Sequence, residues 1–504
     1  MPVQKIKLKD KIKIYDSLTR REVEFAPPDE HPVVTIYVCG MTTYDYPHVG
    51  SMRGPVFFDV VRRFLTAAGY DVIYVQNFTD VDDKTIARAA ESGMPDALEL
   101  SAKFNREYYR DLFALGVRNP EYFPKVTGHI KPIIEYINVI LEKGYAYVAE
   151  GNVYFSVKDL PGYLKLSGRN LDDLRQESRQ TDELGKRDPL DFALWKAQKP
   201  GEPAWDSPWG PGRPGWHIEC STMSTMYLGD TFDIHGGGQE LKFPHHENEI
   251  AQADAHSGPG KFARIWMHYE WVTFKGGKMA KSGEFFRARD ILKEYDPEVV
   301  RMFLLSSQWR KPIDFSREKF DEMHTARNRL ATAVDNAIER LGWHIEEREE
   351  NLRSSVDNYD ADIVLTDTIL DGFVKYMCND FNTQGATARM FVMAYHINKL
   401  LAEYDESKRI SLNWALLKLM RMADILDILQ DKWHKIYFLE DAPAKGIDTE
   451  IMERNEKLGR LLLELRDKFR AKKMFGEADM IRDRLAEMDA EVQDTPDGTK
   501  LKWE

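Results

Sequence analysis

Two histidines and two glutamates lie close together in FPHHENEIAQ, residues 243–252. On a helix, His245 and Glu249 stand at i and i+4 on the same face, whereas His246 and Glu247 point elsewhere. A metal ion could be bound by the first pair. The alternative is a helix start whose acidic residues face the positive end of the helix dipole. This segment alone leaves both interpretations open.

Two cysteines could complete a metal site with this pair. The chain has three, Cys39, Cys220 and Cys378, and an odd number spread over most of the length argues against a disulfide framework. Cys39 and Cys220 would add two soft thiolates to the imidazole of His245 and the carboxylate of Glu249, a set that suits zinc. Because these residues are scattered, their spacing is weaker evidence than a CxxC pair. The alternative for each cysteine is a small buried apolar residue, which is the role we assign to Cys378.

Two further segments carry groups that suit phosphate. PHVGSMRG places His48, Gly50 and Ser51 just before a predicted helix, where unpaired N–H groups and the helix dipole favour an anion. FKGGKMAKSG places Lys278 and Lys281 in a glycine-flanked loop, where two cations could stabilise charge that develops during phosphoryl or nucleotidyl transfer. Taken alone, each segment is better explained as a solvated loop.

A third segment, DIHGGGQE at 233–240, has three consecutive glycines after a predicted strand. Gly236, Gly237 and Gly238 would let a ligand approach the backbone closely, and Glu240 could accept a hydrogen bond from a ribose hydroxyl. A tight turn is the alternative. The segment therefore adds a candidate nucleotide contact.

A βαβ unit near the N-terminus would position several of these groups. The β-rich run at 33–39, a helical pattern at 55–69 that ends at a glycine, and a second β-rich run at 71–78 predict a parallel sheet. Ligands bind such sheets at the carboxyl ends of the strands, where Cys39 and His48 fall. Sheet-like sequence returns at TFDIHGGG and RIWMHYEWVTF, after a less regular stretch at 116–205 that we interpret as an insertion. Helical periodicity dominates from about residue 290.

The overall composition limits the function classes. The 504 residues are 43% hydrophobic and 30% charged, which is typical of globular domains. We find neither a signal-peptide pattern nor a membrane-length apolar run, so we expect a cytoplasmic protein with no membrane partner. A net charge of −13 disfavours broad nucleic-acid binding, so any such surface must be local. Candidates are the basic helix RDKFRAKK at 466–473, which could instead be a solvated face, and Trp503 in a predicted hairpin, TPDGTKLKW.

The order of PHVGSMR, NFTDVDDK, GWHIECS, DIHGGGQELKFPHHENEIAQ and KMAKS resembles cysteinyl-tRNA synthetase, a class I aminoacyl-tRNA synthetase family. The similarity runs from KIYDSLTRREVEF through DFNTQGATARMF to the C-terminal segment, and so covers nearly the whole chain. It implies one zinc ion per chain, which binds the substrate's sulfur and is held by Cys39, Cys220, His245 and Glu249. It also places His48 and Ser51 at the ends of the HIGH motif and residues 278–282, with Lys278 and Lys281, at the KMSKS loop.

The resemblance further implies the substrates and the reaction. Cysteine would be activated by ATP with Mg²⁺, through cysteinyl-adenylate, and transferred to the terminal adenosine of tRNA(Cys) by a monomer. The implied amino-acid pocket consists of Gly40, Thr42, Thr79 and Trp216, with His217 and His235 beside it. Two positions depart from the motifs: Ser51 replaces the second histidine of HIGH, and Ala280 replaces the serine of KMSKS. We therefore expect activity with weaker adenylate formation.

The fold implied by the resemblance is α/β, with a Rossmann-type parallel-sheet catalytic domain split by an insertion, then a helical bundle and a small C-terminal α+β domain. Residues 1–115 and 206–270 would form the two halves of the catalytic domain, the second with the zinc site, and 116–205 the connective insertion. Residues 271–325 would form the KMSKS-loop and stem-contact region, 326–440 the bundle and 441–504 the anticodon-binding domain.

Three other functions fit part of the sequence. A paralogous ligase would activate cysteine in the same way but join it to a small amine; about 200 residues beyond KMAKS favour tRNA instead. A zinc hydrolase using His245 and Glu249 would leave the lysine loop and the HVGS turn without a purpose. A catalytically weakened, synthetase-like regulator is the third, and Ser51 is the residue that favours it.

Overall fold

The computed structural model describes residues 6, 8–26, 33–94, 96–171, 173–174, 185–274, 277–278, 286–342, 360–432, 490–495 and 498–503. They belong to two compact units, residues 1–432 and 433–504. The strands of the first unit are β1 (Lys13–Asp16), β2 (Arg21–Glu24), β3 (Val33–Val38), β4 (Asp71–Gln76), β5 (Ala146–Ala149), β6 (Asn152–Phe155), β7 (Phe192–Ala197), β8 (Gly212–Pro214), β9 (Phe232–Gly238), β10 (Ala263–Tyr269), β11 (Val272–Phe274), β12 (Gly277–Lys278) and β13 (Ile313–Phe315). Its helices are α1 (Arg53–Ala67), α2 (Asp83–Ser92), α3 (Ala97–Ala114), α4 (Ile130–Glu142), α5 (Ile218–Leu228), α6 (Glu247–Ser257), α7 (Ala288–Glu294), α8 (Pro297–Leu305), α9 (Arg317–Leu341), α10 (Ala361–Cys378), α11 (Thr383–Ala402) and α12 (Arg409–Leu426).

A parallel sheet in the order β10-β9-β3-β4 forms the centre of the first unit. The predicted βαβ unit is confirmed as β3, α1 and β4. The second half of the sheet comes from β9 and β10, which are the two stretches where the sequence returned to a sheet-like pattern. Because the strands are parallel, the residues that follow β3 and end β9 meet at one edge of the sheet.

Helix α1 is buried on almost every side. It follows a 3₁₀ turn, Val49–Met52, and ends at Ala67, before Gly69 with a φ of 99°. Of its residues only Thr66 is not buried, because the sheet covers one side and helices α8 and α12 cover the other. The carboxylate of Asp59, inside this helix, pairs with Arg63 and with Arg301 of α8. The helix that follows the HVGS turn is therefore fixed within the unit.

The stretch at 116–205 is more regular than we predicted. It contains α4 and most of a second, antiparallel sheet in the order β5-β6-β7-β8, whose last strand lies beyond residue 205. These strands have only three to six residues each and are separated by Gly- and Pro-rich turns, so their alternation was too short to recognise. The prediction of irregular structure was wrong for this reason.

Helices dominate after residue 287, as the periodicity predicted. Helices α9 to α12 pack against one another through buried residues such as Leu330, Phe373, Met390 and Leu419. No helix within the described residues is both long and apolar enough to cross a membrane.

In the second unit, the described residues form strands β14 (Ala490–Thr495) and β15 (Gly498–Trp503). They pair antiparallel with a two-residue connection, which confirms the predicted hairpin. The predicted basic helix at 466–473 lies outside the described residues.

Candidate active site

A cavity of about 380 Å³ lies at the carboxyl ends of the parallel strands. It brings together residues from the HVGS turn, the DIHGGGQE segment and the FPHHENEIAQ segment with Cys39 and Cys220. The predicted site residues that line it are Cys39, Gly40, Thr42, His48, Gly50, Ser51, Thr79, Trp216, Cys220, Gly238, Glu240 and His245. Residues separated by as many as 206 positions in the sequence, Cys39 and His245, thus share one pocket.

The four predicted metal ligands meet at one side of this cavity. The side-chain donor atoms of Cys39, Cys220, His245 and Glu249 all lie within 4.8 Å of one another. The two Sγ atoms are 3.6 Å apart, and Cys39 Sγ lies 3.4 Å from Glu249 Oε1. His245 Nε2 is 3.0 Å from the same carboxylate oxygen, so the predicted i, i+4 contact is present. Two sulfurs, one nitrogen and one oxygen at this spacing fit a zinc ion.

The charges of these buried groups depend on one another. Burial raises the pKa of the Cys39 thiol, and the neighbouring Cys220 and Glu249 raise it further. Burial also opposes the charged form of Cys220, but the hydrogen bond from Cys39 and the charge of His245 lower its pKa to about 6. Despite burial, Glu249 and Cys220 raise the pKa of His245 to about 10. At neutral pH the thiolate of Cys220 and the carboxylate of Glu249 therefore face a protonated His245, and a metal ion bound here would displace that proton.

A second donor set overlaps the first, which the sequence did not predict. His246 Nε2 lies 3.3 Å from Cys39 Sγ, and His235 Nε2 lies 2.8 Å from Glu249 Oε2. The prediction that His246 points away was wrong. Residues Lys242–His246 form an irregular π-helical turn in which Phe243 is extended, so the spacing of a regular helix does not apply there. Of this second set only Cys39 lines the cavity, whereas Cys39, Cys220 and His245 of the first set do.

A group of histidine and tryptophan rings packs around the predicted metal ligands. His235 stacks on Trp266 with centroids 4.5 Å apart and an interplanar angle of 14°. His246 Nδ1 and His268 Nε2 are 2.8 Å apart. On the other side, His217 Nδ1 lies 3.0 Å from His245 Nδ1, and neither His217 nor His235 reaches the cavity wall. His217 and His235 therefore contact His245 and Glu249, two of the predicted metal ligands.

The residues predicted for the amino-acid pocket lie around the metal ligands. The ring of Trp216 lies against His245, with centroids 4.5 Å apart. Thr42 and Thr79 form an isolated parallel bridge where β3 and β4 continue past the sheet edge. The Gly40 N–H donates to Asn77 Oδ1 at 2.8 Å, which fixes the turn after β3. Trp216, Thr42 and Thr79 therefore line the same cavity as Cys39 and Cys220.

The predicted nucleotide contacts lie at the other side of the cavity. The backbone N–H of Ser51 donates to His48 Nδ1 at 3.2 Å, so the imidazole caps the 3₁₀ turn that precedes α1. Glu240 Oε2 accepts a hydrogen bond of 2.6 Å from the indole N–H of Trp271. Gly238 lines the cavity, but Gly236 and Gly237 lie inside β9, where a Cβ would meet Phe58 at 2.2 Å and His246 at 2.6 Å.

The lysine loop is only partly described. Gly277 and Lys278 form β12, which pairs antiparallel with β11, and the side chain of Lys278 is outside the described part of the structure. Lys281 and Ala280 also lie outside the described residues.

Sequence reasoning missed several residues that line the cavity. They are Met41, Tyr44, Tyr46, Pro55, Gln76, Lys84, Tyr108, Leu241, Tyr269, Trp271 and Val272. Tyr108 comes from α3, a helix that carries no recognisable motif. Val272 begins β11 and Trp271 precedes it, and the position of this strand depends on its pairing with β13, which is distant in sequence. Lys84 lies in NFTDVDDK and Leu241 in DIHGGGQELKFPHHENEIAQ, so both belong to segments that the sequence had already marked.

Two regions of the chain match known family models. Residues 25–325 match the model described as the tRNA synthetases class I (C) catalytic domain, and residues 372–430 match the DALR domain. The first match alone covers more than half of the chain, and it contains all the residues of the cavity described above.

Similar proteins align with this chain over almost its whole length. A cysteine–tRNA ligase from Pelotomaculum thermopropionicum is 45% identical over 97% of this chain and 99% of its own length. One from Thermococcus gammatolerans is 43% identical with the same coverage. Among solved structures, Mycobacterium tuberculosis methionyl-tRNA synthetase in complex with methionyl-adenylate aligns with a TM-score of 0.60 at 12% identity, over 82% of this chain and 95% of that one. This structural likeness confirms the predicted fold class.

Proposed function

The chain belongs to the cysteine–tRNA ligases, a family of class I aminoacyl-tRNA synthetases, and we propose that it activates L-cysteine with ATP and transfers it to tRNA(Cys). The observation that carries the proposal is the meeting of Cys39, Cys220, His245 and Glu249 in the same cavity as the HVGS turn. A thiol-selecting centre and a phosphate-binding turn in one pocket are what a cysteine-activating enzyme needs.

We assign one zinc ion to Cys39, Cys220, His245 and Glu249. The set combines thiolate, imidazole and carboxylate donors, which are the donors zinc takes. It is preferred to the overlapping set with His235 and His246 because three of its four residues line the cavity. Zinc bound there would supply a soft Lewis acid that prefers the thiolate of cysteine to the hydroxyl of serine.

Selection of cysteine needs such a centre because its competitors are small. A purely apolar pocket separates ligands that differ by one small group by only about 1–3 kcal/mol. The rest of the pocket fixes the orientation of the substrate. Trp216 closes one wall beside His245, and Thr42 and Thr79 offer polar groups for the amino end. The cysteine carboxylate is then directed toward the nucleotide side of the cavity.

Adenylate formation follows from this placement. The cysteine carboxylate oxygen attacks the α-phosphorus of ATP, the bond to the bridging oxygen breaks, and pyrophosphate leaves with the electron pair. Negative charge develops on the phosphate oxygens, and His48 with the N–H groups at the start of α1 stabilises it. We assign the same role to Lys278 and Lys281 from the resemblance. Mg²⁺ is expected to accompany ATP.

Transfer to tRNA completes the reaction. A ribose hydroxyl of the terminal adenosine, the 2′-OH by class I resemblance, attacks the carbonyl carbon of the adenylate, and AMP leaves. The DALR match at residues 372–430 supports a tRNA-charging enzyme rather than a ligase that uses a small amine.

Two assays on the purified protein test the proposal. The first measures cysteine-dependent exchange of pyrophosphate into ATP, with serine and alanine as competitors, and the second measures ATP-dependent charging of tRNA(Cys). We expect both activities, with exchange strongly selective for cysteine. Exchange without charging, together with amide formation on an amino sugar, would instead identify the paralogous ligase. Absence of cysteine-dependent exchange would contradict the proposal and favour a regulator.

A further inference from the structure

Arg53 is a buried arginine whose guanidinium binds only backbone. It is the first residue of α1, two positions after Ser51, and 1% of its surface is exposed. Its Nη1 donates to the carbonyls of Glu270 (2.6 Å) and Trp271 (3.1 Å), and its Nη2 donates to those of Gln308 (3.2 Å) and Lys311 (2.7 Å).

Arg53 differs from the other buried arginines in the way its charge is balanced. Within the described residues, no carboxylate forms an ion pair with Arg53, whereas the equally buried Arg301 pairs with Asp59. Burial lowers the pKa of Arg53 to about 10, so the group is still a cation at neutral pH. A buried cation without an ion-pair partner is costly, and its four carbonyl partners, together with the nearby charge of Glu270, offset part of that cost. Such a group suits a precise positioning role better than general stabilisation.

The four carbonyls belong to two segments that build one wall of the cavity. Glu270 and Trp271 connect β10 to β11, and residues 308–311 lead into β13, which pairs with β11. Trp271 and Val272 line the cavity, and Val272 lies beside Gly50 of the HVGS turn. The side chain of Arg53 therefore connects the end of that turn to the neighbouring wall.

Other contacts show how closely the turn and this wall are packed. A Cβ on Gly54 would meet the ring of Tyr269 at 2.4 Å, and one on Gly50 would meet Val272 at 3.3 Å. The N–H of Val49 donates to the carbonyl of Phe286 at 2.9 Å. A change in the length of the Arg53 side chain would alter this spacing directly.

We propose that Arg53 is a positioning residue for the nucleotide half of the cavity, which fixes the distance between the His48–Ser51 turn and the wall at Trp271. This inference rests on the proposed function, because it takes ATP to be the ligand that the turn and the wall both contact in the cavity. The cysteine half is built on other elements: β3 leads to Cys39, α5 carries Cys220, and α6 carries Glu249. Loss of Arg53 should therefore weaken ATP binding while leaving the cysteine half intact.

The test compares Arg53→Lys with Arg301→Lys, a matched control in a second buried arginine outside the cavity. For each variant we would measure the Kd for ATP by calorimetry, the KM values for ATP and cysteine in pyrophosphate exchange, and Tm. We expect Arg53→Lys to raise the Kd and KM for ATP at least about tenfold, because small displacements of positioning groups have large effects. The KM for cysteine should change less than about twofold, and added guanidinium should partly restore ATP binding to Arg53→Ala. Arg301→Lys should lower Tm without this selectivity.

Equal changes in the KM values for ATP and cysteine, or a fall in Tm alone, would overturn the inference. If Arg53→Lys does not fold, the Kd for ATP is measured for Gly54→Ala instead, because its new methyl group displaces Tyr269 in the same wall. A selective rise in this Kd would support the inference, and an unchanged Kd would overturn it. Wild-type protein that binds ATP but shows no cysteine-dependent exchange would contradict the proposed function. The Kd values for ATP of the wild type and Arg53→Lys would still test the positioning role of Arg53.

Discussion

The Sγ atoms of Cys39 and Cys220 lie 3.6 Å apart, although the two residues are 181 positions apart in the sequence. Cys39 follows a central strand of the parallel sheet, and Cys220 lies in the first turn of α5. Both positions are fixed by regular, buried structure, which holds the two sulfurs close together. A site on such elements is more precisely formed than one on loops.

Replacement of Cys220 by serine should remove most of the bound zinc. The substitution exchanges a thiolate for a hydroxyl, a poor zinc ligand, at a fully buried position. Metal analysis of the purified protein measures the loss, and pyrophosphate exchange should show a reduced preference for cysteine over serine. Cys378→Ser is the control, because Cys378 is also buried but lies in α10, away from the cavity. A Cys220→Ser protein with full zinc would contradict the assignment.

Loss of the His235 side chain should weaken metal retention without removing a ligand. His235→Phe keeps a ring against Trp266 but deletes the 2.8 Å hydrogen bond to Glu249 Oε2. Groups that orient metal ligands typically account for about 10–100-fold in affinity. We expect a loss of this size in competition with a chelator. His396→Phe, at a buried histidine of α11, should retain zinc like the wild type.

His48→Ala should slow adenylate formation and leave zinc in place. His48 caps the turn before α1 through Ser51 and lines the nucleotide side of the cavity. Removal of one group that stabilises transition-state charge costs about 10²–10³ in rate. Cysteine-dependent pyrophosphate exchange measures the effect. His324→Ala, on the exposed surface of α9, is the control, and an equal effect of both variants would exclude a specific role for His48.

Asp59→Asn should destabilise the fold strongly. The carboxylate of Asp59 accepts from Arg63 Nε at 2.8 Å and pairs with Arg301, so its loss leaves two buried cations with too little negative charge. We expect a decrease of about 3–5 kcal/mol in the free energy of unfolding, measured by denaturant titration. Glu135→Gln, which removes an exposed ion pair with Lys131, should leave stability unchanged.

The ion pairs of Asp59 should also make the free energy of unfolding depend on pH. Burial would raise the pKa of Asp59, but Arg301 and Arg63 lower it to about 2, below the ordinary value of 3.8. A lowered pKa means that the contribution is complete above the unfolded-state pKa and is lost as the pH falls toward 2. The difference in stability between the wild type and Asp59→Asn should therefore shrink in that range. A difference that grows as the pH falls would contradict the assignment.

The sequence was sufficient to predict the elements whose signal is local. The run at 33–39, the helical pattern at 55–69 and the hairpin near the C-terminus were each recognisable from periodicity or turn residues. The candidate metal ligands were identifiable because cysteine is rare in this chain and because His245 and Glu249 stand four positions apart. Such features depend on residue type and short spacing alone.

Features that depend on tertiary packing could not be predicted in this way. The approach of His246 to Cys39 results from an irregular turn, and the burial of Arg53 results from segments more than 200 positions away. Nothing near Arg53 distinguishes it from an arginine on a solvated helix. The antiparallel sheet of the insertion was also missed, since its strands are too short to show alternation.

We propose that zinc held by Cys39, Cys220, His245 and Glu249 recognises cysteine through its sulfur. X-ray absorption at the zinc edge, recorded with and without L-cysteine, measures this contact. We expect cysteine to add one sulfur, at about 2.3 Å from zinc, to those of Cys39 and Cys220, and serine to add none. An unchanged number of sulfur neighbours in protein saturated with cysteine would contradict it.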